Sequence, residues 1–217
     1  MKKIIFAFLI FVSLFSANAM TDFSNHTFCL GLSFPYMRHD YKTDDMDTVT
    51  LNGIGLNLNY RNMRDTMKIG LFLDADIFMP FSKTVALDEN TMVTSKFSDY
   101  DFFFGIDALA GIYTVLFRDG TFNLPVGAGF HLEGFMSKQK YDDLTVKESV
   151  YTLGIAAWMN VEINLSKRMG VYFGSKFIYD FYYKLNNKAR VTEVKDGYGI
   201  CFSVIPAVGL LWRFGEQ

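Results

Sequence analysis

From residue 27 onward the sequence lacks the apolar spacing of an amphipathic helix. Apolar side chains do not recur at positions i, i+3, i+4 and i+7; they alternate instead with small or polar residues along most of the chain. The composition also differs from that of a disordered chain, since 50% of the residues are hydrophobic and only 20% are charged. Both features predict a single all-β domain.

The sequence also has no excess of cationic residues. Its 21 lysines and arginines are balanced by 23 aspartates and glutamates, which gives a formal net charge of -2. A nucleic-acid-binding protein needs clustered cations to neutralise phosphates. We therefore expect no nucleic-acid partner.

The N-terminus has the pattern of a secretory signal peptide. Lys2 and Lys3 precede an apolar run at 4–16, and Ala17 and Ala19 provide a small-x-small cleavage site. The run is shorter than the roughly 20 residues of a membrane-spanning helix. We expect a cleaved signal peptide at 1–19 and a mature domain at 20–217.

Alternating apolar residues define eight predicted strands. They lie at 28–36, 53–61, 69–78, 101–113, 122–133, 151–165, 171–182 and 198–214. The connections alternate between three short ones, at 62–67, 117–120 and 166–169, and four long ones. This order predicts an antiparallel up-and-down barrel with four long loops at one end.

One face of each predicted strand is apolar, and the other face is rich in glycine and charge. The eight same-face positions from Tyr151 to Leu165 are the clearest apolar series. A lipocalin-like barrel would turn the apolar face inward, whereas an outer-membrane barrel turns it toward lipid. Strands of about 10 residues tilted by ~45° span roughly 23 Å, close to the ~25 Å apolar band of membrane barrels. The pattern favours a transmembrane β-barrel.

The last strand resembles the assembly signal of outer-membrane barrel proteins. Gly209, Trp212 and Phe214 match that signal, while Ala207 replaces its usual polar residue. The mature chain resembles the small eight-stranded OmpX, OmpA-transmembrane and OmpW-like class, and its Phe, Tyr and Lys usage is similar to that of uncharacterised spirochaetal barrels. The resemblance implies the bacterial outer membrane as location, with outer-membrane lipid and the barrel-assembly machinery as partners.

Charged and aromatic residues occupy the predicted inner faces. The charged set is Arg61, Asp74, Asp76, Asp107, Glu133, Glu162, Lys176, Asp180 and Arg213. The aromatic set includes Phe72, Phe103, Trp158 and Tyr172. Because buried charges are costly unless paired, we expect an ion-pair network in which the acceptors Asp74, Asp107, Glu133 and Glu162 meet the bases Arg61, Lys176 and Arg213. The ion-pair network either stiffens a filled lumen or lines a polar pathway. The aromatic residues either fill space or form an apolar inner passage for small hydrophobic molecules, and the OmpW-like resemblance implies the second role.

Two functions follow from these alternatives. The first is a small porin-like pore or channel for small, including hydrophobic, molecules; the second is a non-conducting structural or adhesive barrel that binds a host surface factor through its four long loops. We expect a monomer without a cofactor or a metal.

We do not expect an enzyme. Some barrels of this class modify lipid A with a histidine and a serine, and His39, beside Asp40 near an external loop, and Ser82 are the candidates here. Nothing in the sequence pairs them. His131 and Glu133, two apart on one inner face, are expected to form a lumen pair rather than a catalytic dyad.

Two local features complete the predictions. Pro206 lies within the last strand and cannot donate to a ladder, so a bulge is expected there. Cys29 and Cys201 enter their strands from opposite ends of the barrel. We expect them to face the lumen, too far apart to form a disulfide.

Overall fold

A computed structural model describes residues 25–43, 46–63, 67–86, 92–119, 121–141, 144–187 and 200–214. The predicted signal peptide and its cleavage site lie outside these residues. The strands are β1 (Asn25–Ser33), β2 (Tyr36–Thr43), β3 (Met46–Met63), β4 (Gly70–Ala86), β5 (Met92–Lys96), β6 (Tyr100–Arg118), β7 (Phe122–Tyr141), β8 (Leu144–Asn164), β9 (Met169–Asn187) and β10 (Ile200–Phe214). A single 3-10 turn, Phe97–Asp99, precedes β6. No helix among the described residues is long and apolar enough to cross a membrane.

The strands form one closed antiparallel sheet. Consecutive long strands pair as neighbours from β3 to β10, with β4 next to β6, and β1 closes the ring by pairing with both β10 and β3. Toward the hairpin end of the barrel, β2 takes the place of β1 between β10 and β3. Because β1 and β2 act as one interrupted strand and β5 only extends β4 into a hairpin, the barrel has eight strands. The predicted eight-stranded up-and-down barrel is confirmed.

The bulge predicted at Pro206 is wrong. Pro206 pairs with Ser175 in an unbroken ladder between β10 and β9. Its carbonyl accepts a hydrogen bond from the Phe34 backbone N–H at 2.8 Å. Since the N–H and C=O of one residue in an antiparallel strand point to the same neighbour, the missing donor faces the first strand. The proline therefore interrupts the pairing of β10 with the first strand, at the break between β1 and β2.

The segments expected as long loops are largely strand. β2 ends at Thr43 and β3 begins at Met46, while β7 ends at Tyr141 and β8 begins at Leu144. β4 and β5 form a further hairpin, and β9 continues to Asn187. Inner side chains in these extensions, including Val49 and Leu51, are almost fully buried. The inner faces of these extensions add apolar side chains to the buried cluster, which explains why the ladders continue.

The outer surface carries a continuous apolar band. Each barrel strand contributes large apolar side chains that are at least 44% exposed: Leu32, Leu56, Ile77, Ile112, Phe130, Ile155, Phe177 and Leu210. Outer positions nearer the hairpin tips are polar, as at Arg38, Thr50, Lys138 and Lys147. A soluble monomer rarely exposes such a large contiguous apolar surface, whereas a membrane barrel requires it. The predicted orientation, with the apolar face outward, is the one the chain adopts.

Both cysteines are buried in the lumen as free thiols. Cys29 pairs with Leu211 across the β1–β10 seam. Cys201 lies at the other end of the same β10 strand, so positions 201 and 211 are separated by roughly 33 Å of strand rise. This spacing is far beyond the reach of a disulfide.

Candidate functional site: the layered barrel interior

The inner face of β3 crosses the interior from the short-turn end to the hairpin end. Arg61, Asn59, Asn57, Leu51 and Val49 follow one another along it, and each is at most 3% exposed. These residues mark three layers: a lower layer around Arg61, a middle layer around the two asparagines, and an upper layer around the two apolar residues.

The lower layer joins two arginines to one carboxylate. Arg61 forms an ion pair with Glu162 Oε1, and Arg213 Nη2 lies 2.8 Å from Glu162 Oε2. Arg213 Nη1 also donates to Asn164 Oδ1 at 2.6 Å. Glu162 is thus shared between β3 and β10 across the lumen.

Aromatic rings pack around the Arg61 guanidinium. Its carbon lies 5.3 Å from the centroid of the Trp158 ring and 5.7 Å from that of Tyr113. The Trp158 and Phe72 rings stack with their centroids 5.0 Å apart. The predicted lumen aromatics Phe72 and Trp158 therefore fill each other's open faces.

The middle layer is built around a buried lysine. Lys176 Nζ lies 2.8 Å from Asp74 Oδ1 and also forms ion pairs with Asp76 and Asp107. Asn59 donates to Asp74 Oδ2 at 2.8 Å, and Asn57 donates to Asp74 and Asp76. Tyr172, a predicted lumen aromatic, donates from its hydroxyl to Asn57 Oδ1 at 2.8 Å. Sequence reasoning missed the two asparagines, although their positions on the inner alternation could have identified them.

His131 shares Asp107 with Lys176 in this layer and lies between two aspartates. Its Nε2 is 2.5 Å from Asp107 Oδ2, and its Nδ1 is 2.7 Å from Asp180 Oδ1. Thr152 donates to the other Asp180 oxygen at 2.6 Å. Gly154 lies between His131 and Asp180 in the sheet, and a Cβ there would collide with Asp180. The glycine is needed because it lets the imidazole reach a carboxylate two strands away.

Glu133 does not take the role predicted for it. Among the described residues, Glu133 forms no ion pair with an arginine or a lysine and no hydrogen bond with His131; the base beside it is His39, whose Nε2 is 3.4 Å from Glu133 Oε1. His39 is 2% exposed and faces the lumen, so its expected place near an external loop is wrong. Asp40 points the other way and accepts from Arg38 and Thr48.

Ser82 does not approach His39. Along β4 the inward position is Lys83, so Ser82 lies on the outer face, whereas His39 points inward. The physical reason is the two-residue period of a strand, which sends neighbouring side chains to opposite faces. The only histidine–serine pair considered from the sequence is therefore not formed.

The upper layer is an apolar plug with one ion pair. Phe103, the fourth predicted lumen aromatic, stacks on Phe135 with a centroid distance of 5.4 Å. Lys83 lies 5.6 Å from the centre of the Phe135 ring and forms an ion pair with Glu148. Sequence reasoning missed Lys83, Phe135 and Glu148 because it assigned them to loops.

A small cavity remains beside the lysine cluster. It is lined by residues that include Trp158, Asn160 and Lys176, and its volume is about 10 Å³, roughly the space of one water molecule. Pockets for small molecules usually measure about 300–1,000 Å³. This cavity is too small for a typical ligand.

The predicted assembly-signal residues lie on the β10 edge of the barrel seam. Gly209 pairs with Gly31, Trp212 pairs with Phe28, and Phe214 pairs with His26. The rings of Phe28 and Trp212 are 6.2 Å apart, and Phe214 is 60% exposed on the outer surface. Trp212 and Phe214 lie on the outer face of the seam, whereas Gly209 lies on the inner face, where the backbones of β1 and β10 approach closely.

No protein-family model matches this chain, and no curated protein matches it in sequence. Solved structures do match it. The outer membrane protein OprG from Pseudomonas aeruginosa is 11% identical with a TM-score of 0.59, and the match covers 90% of this chain and 98% of OprG. The outer membrane protein AlkL, solved by NMR in DMPC lipid bilayers, is 12% identical with a TM-score of 0.60, covering 90% of this chain and 92% of AlkL. At these identities the similarity shows the fold, which is that of the small outer-membrane β-barrel proteins.

Proposed function

We propose that this chain is a non-conducting barrel of the bacterial outer membrane that holds rigid β-hairpins above the lipid as a recognition surface for an anionic partner. The observation that carries the first half of this proposal is the filled lumen. Every inward position of β3 from Arg61 to Val49 is buried, and at Gly55, which has no side chain, Ser33 and Phe78 from neighbouring strands occupy the space.

The same filling weakens the case for a pore. A polar pathway needs hydrated charges, but Lys176 and Arg61 are at most 3% exposed and are held in ion pairs. An apolar gallery needs open ring faces, but the Phe72 and Trp158 rings cover each other. Between the two alternatives open to the sequence, the geometry supports the non-conducting one.

Conductance measurements test the closed lumen. We expect the folded protein to give no discrete current steps in planar bilayers, because ions would have to displace paired charges and packed rings. Protease protection of the same sample should show that the barrel is inserted. Discrete steps whose ion selectivity changes in Glu162→Gln, but not in Asp101→Asn on the outer surface, would show that the lumen conducts and would overturn the proposal.

The outer face of the β7–β8 hairpin carries the charges that favour a recognition role. Beyond the apolar band, β7 and β8 continue as a paired ladder in which Lys138 lies directly opposite Lys147. Lys140 and Lys147 are exposed, and Lys138 has only a loose ion pair with Asp101, at 3.6 Å. Like charges directly opposite each other destabilise a sheet. A cationic surface maintained at that cost, on a rigid element above the membrane, is suited to binding an anionic partner.

Binding of a polyanion tests this surface. We expect detergent-folded protein to bind dextran sulfate in a salt-dependent manner, and the triple variant Lys138→Gln, Lys140→Gln, Lys147→Gln to bind at least tenfold more weakly. The matched control is Lys167→Gln with Arg168→Gln, which removes cations from the short turn at the opposite end of the barrel. Equal losses in the two variants, or no binding by the parent, would exclude the hairpins as the recognition surface.

A further inference from the structure

Two clusters of metal-ligating side chains lie in the middle layer. One consists of Asp74, Asp76 and Asp107, the other of Asp107, His131 and Glu133, and within each cluster the ligand atoms lie within 4.8 Å of one another. The first cluster already surrounds a cation, because Lys176 Nζ contacts all three of its carboxylates. Only the second cluster has a carboxylate that faces no lysine or arginine among the described ion pairs.

Glu133 is that carboxylate. It is 3% exposed, and neither of its oxygens accepts a hydrogen bond from the described side chains or backbone. A buried carboxylate that accepts no hydrogen bond and contacts no lysine or arginine is strongly disfavoured, and the base beside Glu133, His39, is 3.4 Å away without forming a hydrogen bond. This arrangement indicates that a positively charged group belongs beside Glu133.

His131 is oriented as metal-bound histidines usually are. Its Nδ1 is held by Asp180, which is itself fixed by Thr152, and this leaves Nε2 directed toward Asp107 on the side of Glu133. A carboxylate that holds the far nitrogen of an imidazole is the common second partner of histidine ligands to zinc. The pairing therefore orients the ring for a metal as well as for a simple hydrogen bond.

We propose that Asp107, His131 and Glu133 bind one divalent transition-metal cation of the zinc type inside the barrel. Two carboxylates and an imidazole suit zinc, whereas magnesium and calcium prefer oxygen ligands alone. His39 Nε2, 3.4 Å from Glu133 Oε1, is in place to provide a fourth ligand. The distance of 2.5 Å between His131 Nε2 and Asp107 Oδ2 would lengthen by less than ~1 Å to give tetrahedral ligand spacing.

The ligands come from three strands that the metal would connect across the lumen. Asp107 lies on β6, His131 and Glu133 lie on β7, and His39 lies on β2 on the far side of the seam. The side chains are buried beneath the upper plug, so loading is expected while the barrel folds. The cation would thus act as a structural clamp and does not depend on the recognition function of the hairpins.

Refolding with and without metal tests the site. The full chain is unfolded in denaturant and refolded into detergent with zinc sulfate or with EDTA, and metal bound after gel filtration is measured by mass spectrometry. We expect about one zinc per chain and a higher melting temperature in the zinc sample. Refolding with cobalt should give the visible absorption of a tetrahedral site. Absence of bound metal in the folded parent would overturn the proposal.

Glu133→Gln is the decisive variant. It removes a ligand and also the unpartnered charge, so we expect it to fold without metal at least as stably as the parent, to bind zinc at least tenfold more weakly and to lose the zinc-dependent rise in melting temperature. Asp76→Asn, in the neighbouring lysine-filled cluster, is the matched control and should keep its zinc. If Glu133→Gln retains zinc as the parent does, the metal is bound elsewhere and the proposal fails.

Discussion

At the scale of single residues, the lumen is stabilised by pairing charges that would otherwise be too costly to bury. Lys176 is the central example, since it is 2% exposed and meets three aspartates from β4 and β6. The asparagines of β3 supply further donors to the same carboxylates. Such clusters are sensitive to the loss of one member, because the remaining charges stay buried.

Replacing the central lysine tests this dependence. Lys176→Met keeps a long side chain but leaves the aspartates without their base, and we expect a loss of about 3–5 kcal/mol in the free energy of unfolding. Urea unfolding in detergent, followed by tryptophan fluorescence, would measure it. Lys140→Met, at an exposed hairpin position, should change stability by no more than about 0.5 kcal/mol. Similar effects of the two variants would contradict the ion-pair account.

Residue partners inside the lumen were only partly predictable. Alternation along β7 is enough to place His131 and Glu133 on the inner face. It also suggests that they pair, but alternation fixes only the face of a side chain and not the partner that it meets on other strands. His131 instead contacts Asp107 and Asp180 on other strands, and those contacts depend on register.

At the scale of elements, the seam between β1 and β10 is the place where the barrel closes. Gly209 and Gly31 lie opposite each other there, and a Cβ at Gly209 would collide with the backbone of Leu30 and Gly31. Backbone atoms at a seam cannot rotate away as a side chain can. Glycine in the assembly signal is thus explained by close approach of the two terminal strands.

Substitution at the seam should hinder closure. We expect Gly209→Ala to lower the free energy of unfolding by about 1–3 kcal/mol, and to slow folding, because the added methyl group displaces backbone. The heat-dependent gel mobility of folded barrels would measure both effects. Gly134→Ala is the control, since its Cβ would meet only a Tyr151 ring carbon at 3.3 Å and a carbonyl oxygen at 3.5 Å. If Gly134→Ala is as harmful, close approach at the seam is not the cause.

The pairing of β8 with β9 shows where the alternation of inward and outward side chains is interrupted. The register between β8 and β9 shifts between Leu153 and Gly154, so that Leu153 pairs with Tyr182 and Gly154 pairs with Asp180. The extra residue turns Tyr183 into the lumen, where it is 2% exposed. Simple alternation from Asp180 would have placed Tyr182 there, because a period of two cannot indicate a bulge.

At the scale of the whole molecule, two surfaces determine what the barrel can do. The outer surface is apolar around the full circumference and becomes polar toward the hairpins and at the short turns, which requires a lipid environment. The inner surface is buried from Arg61 to Val49, and one hydrophobic cluster extends from Phe72 and Trp158 to Phe103 and Phe135 at the hairpin end. This combination favours a non-conducting barrel that supports a recognition surface over a barrel that acts as a pore.

The sequence by itself determined the fold class and the face of each strand that meets lipid. Which side chains lie on one face depends on a single strand alone, because side chains alternate between the two faces with a period of two residues. The sequence also identified the charged and aromatic residues of the lumen. Only the tertiary structure decided which carboxylate meets which base, that the first strand breaks at 34–35, and that the described parts of the long segments extend the strands over buried side chains. Those features arise when eight strands close with a particular stagger, since closure brings together residues as far apart in the chain as Arg61 and Glu162.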